Sequence, residues 1–314
     1  MAKKYAFGVD SGGTAVKIGL FTTTGKLLKS FEIPTDKTDS GENILPDIAK
    51  ALRGCLEESE SSFDEIEGIG MGIPGPVLSD GTVNKCVNVG WGVINAADIL
   101  SNLCDGVPVK CGNDANVAAL GEMWQGGGRG HQSIVMVTLG TGVGGGVIIN
   151  GQIVSGANGA GGEIGHIKVR DDEEDFCGCG LHGHLEQYAS ANGIVRMAKK
   201  LLTSDERPTV LRDAEVITSK VIFDAARNGD EVSVELVETL GKYLGTALSY
   251  ISCVVDPEAY VIGGGVSKAG DILIDTIRKY YRENAFHASR GTDFALAELE
   301  NEAGMYGAVK LVLQ

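Results

Sequence analysis

Two short glycine-rich turns carry residues that could hold a phosphate group. They are Asp10-Ser11-Gly12-Gly13-Thr14 and Gly140-Thr141-Gly142, and each follows a short apolar run. A turn built from glycine lets backbone N–H groups approach an anion, because no Cβ stands in the way. The hydroxyls of Thr14 and Thr141 would add two donors. The chemistry indicated is the binding of phosphate by main-chain groups.

Charged groups beside the first turn fit the same chemistry. Lys17 lies on the returning strand and would add a point charge, while Asp10 ends the first strand and could position Mg²⁺ through water. A third glycine run, Gly263-Gly264-Gly265, follows another apolar strand. Any one of these turns could be a simple hairpin, since glycine turns are common. Three together favour a nucleotide site.

Two patterns of dinucleotide-binding proteins occur, and we reject both. Residues 70–75 read G-x-G-x-x-G, but Pro74 and Pro76 prevent the helix start that this motif needs. Residues 140–145 match as well, yet they lead into a strand and an Asn-Gly turn. The P-loop pattern G-x-x-x-x-G-K-[ST] is absent, which argues against a Walker-type ATPase.

A stretch of the chain concentrates metal-binding residue types. Three of the five histidines and two of the seven cysteines lie between residues 166 and 184. The spacing is H-x10-C-x-C-x4-H if His166, Cys177, Cys179 and His184 are taken, and two thiolates with two imidazoles make an acceptable tetrahedral zinc site. His182 is a competing fourth ligand. Free thiols and surface histidines are the alternative interpretation.

The elements that must position these groups alternate strands and helices. Apolar runs predict strands at residues 5–9, 16–21 and 27–33, which must form an antiparallel meander, and further strands at 66–73, 107–111, 133–139, 147–149, 152–154 and 259–262. Helical periodicity covers residues 43–60, 114–124, 185–202, 220–228, 231–255 and 271–284. The acidic run at 171–175 is interpreted as a solvated loop. Because both halves begin with a strand, a glycine turn and a returning strand, we predict a duplicated α/β unit with a cleft.

Composition excludes several classes of protein. The 314 residues carry a net charge of −15, which repels nucleic acid and anionic lipid. An odd number of cysteines at irregular spacing argues for reduced thiols or a metal. The N-terminus lacks the apolar stretch of a signal peptide, and no run is long enough to span a membrane. We therefore expect a cytoplasmic protein without nucleic-acid or membrane partners.

Taken in order along the chain, the motifs resemble those of the ROK family of bacterial sugar kinases and repressors, and within it the Gram-positive-type glucokinases. They are Asp10-Ser11-Gly12-Gly13-Thr14, Gly72-Ile73-Pro74-Gly75-Pro76, Asn113-Asp114-Ala115-Asn116, Leu139-Gly140-Thr141-Gly142-Val143-Gly144-Gly145-Gly146, Gly162-Glu163-Ile164-Gly165-His166, Cys177-Gly178-Cys179-Gly180, Leu185-Glu186 and Gly263-Gly264-Gly265-Val266. No single motif is specific, but the ordered set is.

The resemblance implies an α/β fold of the actin/hexokinase-like (ribonuclease H-like) type, with two domains closing on ATP and sugar. Residues 1–115 would form the N-terminal domain, with the first phosphate hairpin and part of the sugar site. Residues 116–314 would hold the second phosphate loop, the zinc loop and the adenosine site, and the last helix could pack back on the N-terminal domain. The resemblance also implies a homodimer or homotetramer.

The activity implied is ATP-dependent phosphorylation of a hexose, with glucose converted to glucose 6-phosphate as the leading reading. A carboxylate near the sugar hydroxyl can accept its proton, and the family places its catalytic aspartate at Asp114. By the same match the sugar contacts would be Gly75, Asn88, Asn113, Asp114, Glu163, His166 and Glu186. The nucleotide contacts would be Asp10, Gly12, Gly13, Thr14, Lys17, Thr141, Gly142, Gly264 and Gly265. Without the resemblance, Asn113 and Asp114 could simply cap the next helix.

The family also has a zinc site in this region, usually with three cysteines and one histidine. His184 stands where the third cysteine is expected, and imidazole can replace thiolate. The zinc would be structural and would fix Glu163, His166 and Glu186, whereas Mg²⁺ would accompany ATP.

Other functions stay open at this point. A kinase for N-acetylmannosamine, N-acetylglucosamine, fructose or allose would share the same contacts, and polyphosphate could replace ATP as donor. A sugar-sensing repressor is disfavoured, because its DNA-binding module would precede a hairpin that here begins near Tyr5, and because the net charge opposes DNA. A non-catalytic sugar binder would be expected to lose Asp114 or a glycine loop.

Overall fold

The computed structural model describes residues 3–86 and 88–314. The strands in this part of the chain are β1 (Tyr5–Ser11), β2 (Ala15–Thr22), β3 (Leu27–Pro34), β4 (Ile66–Ile73), β5 (Thr82–Cys86), β6 (Trp91–Asn95), β7 (Val109–Asn113), β8 (Ile134–Leu139), β9 (Val143–Ile149), β10 (Gln152–Ile153), β11 (Ala259–Gly263) and β12 (Asp293–Leu296). The helices are α1 (Ile44–Glu58), α2 (Ala96–Leu103), α3 (Asp114–Gln125), α4 (Glu186–Ala189), α5 (Ala191–Ser204), α6 (Ser219–Arg227), α7 (Glu231–Val255), α8 (Asp271–Asn284) and α9 (Ala303–Val312). Among these described helices, none has both the length and the apolar character needed to cross a membrane.

The first of two compact units contains the described residues up to Gln132, together with Gly146–Gly162 and Glu298–Gln314. Its sheet has the strand order β3-β2-β1-β4-β7. The first three strands pair antiparallel, which confirms the predicted meander, and β4 runs parallel to both β1 and β7. Ile48 and Leu52 of α1 are fully buried in the core that this sheet forms.

The C-terminal helix α9 packs on this first sheet because glycines leave room for it. A methyl group on Gly70 would lie 1.7 Å from the carbonyl oxygen of Ala308, and one on Gly8 would lie 2.2 Å from that of Met305. Only glycine allows so close an approach. The predicted boundary between residues 115 and 116 falls in the first turn of α3, whereas the first unit takes in the whole of α3 as well as α9.

The second unit consists of Ser133–Gly145 and Glu163–Ala297. Within it β11 pairs parallel with β8 on one side and with β12 on the other. The long helix α7 packs tightly on α8, since a methyl group on Gly241 would lie 2.3 Å from Cγ2 of Thr276. The mixed α/β architecture predicted for the chain is confirmed.

Several predicted boundaries were wrong, among them that of the strand at 107–111, which is Val109–Asn113 in the structure; two of the others have local reasons. β9 begins at Val143 rather than at residue 147, so the predicted glycine loop is shorter, and Gly146 within the strand leaves room for α3: a methyl group on it would lie 2.5 Å from Cβ of Ala119. The helix predicted for 185–202 is two helices. Ser190 is extended between them, and its Oγ accepts the N–H of Gly193 and donates to the carbonyl oxygen of Glu186.

Candidate active site

One edge of the first sheet gathers several of the predicted site residues. Asp10 lies opposite Gly72 in the parallel β1–β4 pair, and Ile73 lies opposite Asn113 in the β4–β7 pair. Parallel strands end at the same edge of a sheet, where ligands of α/β proteins commonly bind. Asp10, Gly75, Asn113 and Asp114 therefore share this edge.

Asn113 links Gly75 to Asp114 at this edge. Its Nδ2 donates to the carbonyl oxygen of Gly75 at 3.1 Å and to Oδ1 of Asp114 at 3.0 Å. Its Oδ1 accepts the N–H of Asn116 at 3.2 Å, so Asn113 also caps α3. The cap of α3 and the hydrogen bonds to Gly75 and Asp114 thus use different atoms of one side chain, so capping does not exclude a role of Asn113 in a site.

The Asp10 carboxylate occupies a restricted position beneath the first glycine turn. A methyl group on Gly304, at the start of α9, would lie 2.5 Å from Cγ of Asp10. Burial raises the pKa of Asp10, the nearby Asp114 carboxylate raises the pKa further, and Lys17 partly opposes both effects. Two carboxylates held near each other in this way suit a divalent cation.

Hydrogen bonds to Ala15 and Thr35, which lie outside the predicted motif, hold the first glycine turn. The N–H of Gly12 donates to the carbonyl oxygen of Ala15 at 3.0 Å and closes the turn. Thr35, just after β3, donates its N–H to the carbonyl oxygen of Thr14 at 3.0 Å and its Oγ1 hydrogen to that of Gly12 at 2.7 Å. Asn88 is exposed, and its carbonyl oxygen would lie 3.9 Å from a methyl group on Gly13.

In the second unit the other two glycine turns meet. Gly263 pairs with Thr138 at the ends of parallel β11 and β8. Gly264 follows with φ +85°, and a methyl group there would lie 2.5 Å from the carbonyl oxygen of Leu139, where the Gly140–Gly142 turn begins. The structure thus brings Thr141, Gly142, Gly264 and Gly265 to one sheet edge.

Glu186 lies between the second glycine turn and the cysteine loop. Its Oε1 is 2.8 Å from Sγ of Cys177, and a methyl group on Gly142 would lie 2.6 Å from its Oε2. A cavity of about 480 Å³ opens here, lined in part by Thr141 and Asn192. The second unit therefore offers a carboxylate and main-chain groups to one ligand-sized space.

The four residues predicted as metal ligands form a compact cluster. Their donor atoms all lie within 4.8 Å of one another. The separation of Nδ1 of His166 from Nδ1 of His184 is 3.3 Å, and that of the two sulfurs, of Cys177 and Cys179, is 3.5 Å. Nδ1 of His166 is 3.8 Å from Sγ of Cys177, and Nδ1 of His184 is 3.3 Å from Sγ of Cys179. Tetrahedral zinc with two thiolates and two imidazoles spaces its donors about 3.3–3.8 Å apart, and these four separations lie in that range.

The pKa shifts in the cluster favour metal binding at His184 and oppose it at Cys177. Burial and the nearby His166 lower the pKa of His184, which keeps this imidazole neutral. Burial and the neighbouring Glu186 raise the pKa of Cys177 to about 12, so metal binding there would release a thiol proton.

His182 lies outside the four-donor cluster. Its Nδ1 is 3.3 Å from the carbonyl oxygen of Asp175, and its ring packs against Phe176 at a centroid distance of 4.2 Å. On the other side of the cluster, Nε2 of His166 is 3.8 Å from Oε2 of Glu163. His166 thus turns one nitrogen to the cluster and the other to Glu163.

The prediction that the acidic run at 171–175 is solvated was wrong for Glu173, whereas the other four residues of the run are exposed. The Glu173 side chain is only 5% exposed and accepts hydrogen bonds from the Tyr188 hydroxyl at 2.6 Å and from Nη2 of Arg196 at 2.9 Å. This pairing fastens the cysteine loop to α5.

The sequence analysis missed Glu122, which organises the end of α3, and Lys37, which lies beside the first glycine turn. Glu122 is fully buried in α3, where a charge among apolar neighbours was the available signal. Lys37 lies beside Gly13, and nothing in its spacing could have indicated this. Both depend on contacts with distant parts of the chain.

The chain is similar to known proteins along its whole length. The sequence pattern described as ROK family matches residues 6–314. A protein of Halalkalibacterium halodurans named glucokinase is 41% identical over 100% of this chain and 96% of its own length. A ROK family glucokinase from Streptomyces griseus, solved in complex with glucose and AMPPNP, is 35% identical with a TM-score of 0.72 and 98% coverage of both chains. A ROK hexokinase from Thermus thermophilus is 30% identical with a TM-score of 0.79, over 98% of this chain and 97% of that one.

Proposed function

The chain belongs to the ROK family, and we propose that it is an ATP-dependent sugar kinase that converts glucose to glucose 6-phosphate. The proposal is supported by the 41% identity to a glucokinase along the full chain and by the likeness to a glucokinase that binds glucose and AMPPNP. The observation that carries it is the joining of Asp114 to Gly75 through Asn113 at the edge of the first sheet.

Asp114 acts as the general base. A sugar hydroxyl is a weak nucleophile, and a carboxylate within hydrogen-bond reach can accept its proton as the new bond to phosphorus forms. The hydrogen bonds from Nδ2 of Asn113 and from the Ala115 N–H both end on Oδ1 of Asp114 and hold this carboxylate in place at the edge of the first sheet. Sugar hydroxyls are bound by Asn88, Asn113, Glu163, His166 and Glu186, with Gly75 lining the site.

The glycine turns bind the nucleotide. Main-chain N–H groups of Gly13 and Thr14 face phosphate, while Gly12 shapes the turn through its N–H to the carbonyl oxygen of Ala15. Lys17, on the returning strand, donates to the carbonyl oxygen of Asn301 at 3.2 Å and adds positive charge beside the turn. In the second unit, Thr141 and Gly142 bind phosphate while Gly264 and Gly265 border the nucleoside. Mg²⁺ bound to ATP would neutralise charge on the transferred group, and Asp10 would hold it through water.

Zinc is proposed as a structural ion held by His166, Cys177, Cys179 and His184. The donor spacing supports a structural site, because two histidines and two cysteines would fill all four tetrahedral positions. The cluster adjoins both Glu163 and Glu186, so an ion there would fix the two proposed sugar carboxylates relative to each other. A cytoplasmic homodimer or homotetramer is proposed on the family resemblance alone.

A coupled assay of ADP release tests the proposal. With ATP and Mg²⁺, glucose is expected to give the highest kcat/KM in a panel containing N-acetylmannosamine, N-acetylglucosamine, fructose and allose. Replacing ATP by polyphosphate tests the donor. A better amino sugar would assign another sugar kinase, and no turnover of any sugar would overturn the enzyme assignment.

A further inference from the structure

Lys37 follows β3 on a segment that is fastened to the first glycine turn. Thr35 supplies both fastenings, through its N–H to the carbonyl oxygen of Thr14 and its Oγ1 to that of Gly12. The position of Lys37 relative to this turn is therefore set by hydrogen bonds two residues away.

The conformation around Lys37 is held by its neighbour Asp36. The Asp36 carboxylate accepts the N–H of Thr38 at 2.9 Å, the Thr38 hydroxyl at 2.6 Å and Nδ2 of Asn43 at 3.0 Å. These bonds fix the turn that carries Lys37. Within residues 3–86 and 88–314, Asp36 forms no ion pair with the Lys37 ammonium.

The Lys37 side chain reaches over the turn. A methyl group on Gly13 would lie 3.4 Å from Nζ of Lys37 and 4.0 Å from Cε. The side chain is exposed, and within residues 3–86 and 88–314 it has no hydrogen-bond or ion-pair partner. Lys17, by contrast, already donates to the carbonyl oxygen of Asn301.

We propose that Lys37 is a phosphate-binding residue whose ammonium contacts the terminal phosphate of the nucleotide above Gly13. This rests on the proposed kinase function. An unpaired cation held above a turn of main-chain N–H groups adds charge where a phosphate would be bound, and an ammonium with three donors suits phosphate oxygens. The chain carries 42 acidic and 27 basic residues, so a local cation at this position matters more than the overall field. The phosphate of glucose 6-phosphate would suit the Lys37 ammonium equally well, so the test compares binding of this sugar phosphate with binding of the nucleotide.

Calorimetric binding without turnover tests this, using AMPPNP with Mg²⁺, AMP and glucose 6-phosphate as separate probes. Lys37→Gln is expected to weaken AMPPNP roughly 10- to 100-fold, with AMP unchanged within twofold. Lys37→Arg should retain most of the affinity. Lys50→Gln removes the same charge from an exposed position of α1 and serves as the matched control. Thermal unfolding of all variants is expected to match the unsubstituted protein.

The outcomes separate this inference from the kinase assignment. If the unsubstituted protein binds AMPPNP and Lys37→Gln binds it within twofold, Lys37 is a solvated surface lysine and only the inference fails. If Lys37→Gln weakens glucose 6-phosphate but not AMPPNP, the assignment to the nucleotide is overturned. If the unsubstituted protein binds no nucleotide, the proposed function fails together with the inference.

Discussion

The side-chain amide of Asn113 donates a hydrogen bond of 3.0 Å to Oδ1 of Asp114, and the main-chain N–H of Ala115 donates to the same oxygen at 2.8 Å. One carboxylate oxygen is thereby fixed. The geometry follows from the position of the pair, because Asn113 ends β7 and Asp114 begins α3. A strand-to-helix junction holds both the donor and the acceptor in place.

Substitution Asp114→Asn should abolish phosphoryl transfer while sugar binding survives. The amide cannot accept the hydroxyl proton, so kcat is expected to fall by roughly 10²- to 10⁴-fold. The Kd for glucose, measured by calorimetry, should stay within a few-fold. Asp64→Asn changes an exposed carboxylate and should leave kcat unaltered. A near-normal kcat for Asp114→Asn would show that another group is the base.

The metal content should depend on His184 and not on His182. We expect about one zinc per chain by elemental analysis in protein purified without chelator, and a loss of that zinc in His184→Ala. His184→Cys supplies a thiolate at the same place and should retain it. His182→Ala is the matched control, since His182 lies outside the cluster. Absence of zinc from the unsubstituted protein, or equal loss in both alanine variants, would contradict the site.

Glu122 should contribute strongly to stability. It is fully buried, its Oε2 accepts the N–H groups of Gly127 and Glu298, and its Oε1 accepts that of Leu299. Glu122→Ala leaves these donors unpaired and should lower the free energy of unfolding by about 3–5 kcal/mol in urea titrations. Glu67→Ala alters an exposed position of β4 and should change the free energy of unfolding by less than about 0.5 kcal/mol. Equal stability of the two variants would refute this role.

The Glu173 pairing should make stability depend on acid pH. Burial alone would raise the pKa of Glu173, but the hydrogen bonds from Arg196 and Tyr188 and the Asp175 N–H outweigh it and hold the pKa well below its usual value of 4.5. A carboxylate whose pKa is lower in the folded state stabilises the fold above the unfolded pKa. That contribution is lost as the pH falls through the folded-state pKa.

We therefore expect Glu173→Gln to be less stable than the unsubstituted protein by about 2 kcal/mol at pH 7, with the difference narrowing below about pH 4. Urea unfolding at a series of pH values measures this. Glu174→Gln, at the exposed neighbouring position, should show no such difference. A constant difference across the whole pH range would mean that Glu173 acts by packing rather than by charge.

Much of the site could be predicted because its signals are local. A glycine turn after an apolar run must end a strand, so Gly12, Thr141 and Gly264 could be placed at strand ends from short windows of sequence. The same holds for Asn113, whose residue type and position before a periodic segment indicate a helix cap. The cysteine and histidine spacing is also local, and the structure brings all four predicted ligands together.

Other features required the tertiary structure because they join residues far apart in the chain. The sequence around Lys37 does not indicate its contact with Gly13, and the sequence around Glu122 does not indicate its hydrogen bond with Leu299. The burial of Glu173 could not be predicted either, because a run of acidic residues is typical of an exposed loop.

By itself the sequence determined the glycine turns at strand ends, the family, and the identity of the chemical groups, although it did not predict the strands β5, β6 and β12. Backbone conformation and residue type decide these within a few positions of each residue. Only the tertiary structure decided which carboxylates are buried, which lysine faces the first turn, and which glycines of β1 and β4 let α9 pack there. Those outcomes depend on desolvation and close packing between distant segments, and both arise only when the chain has folded.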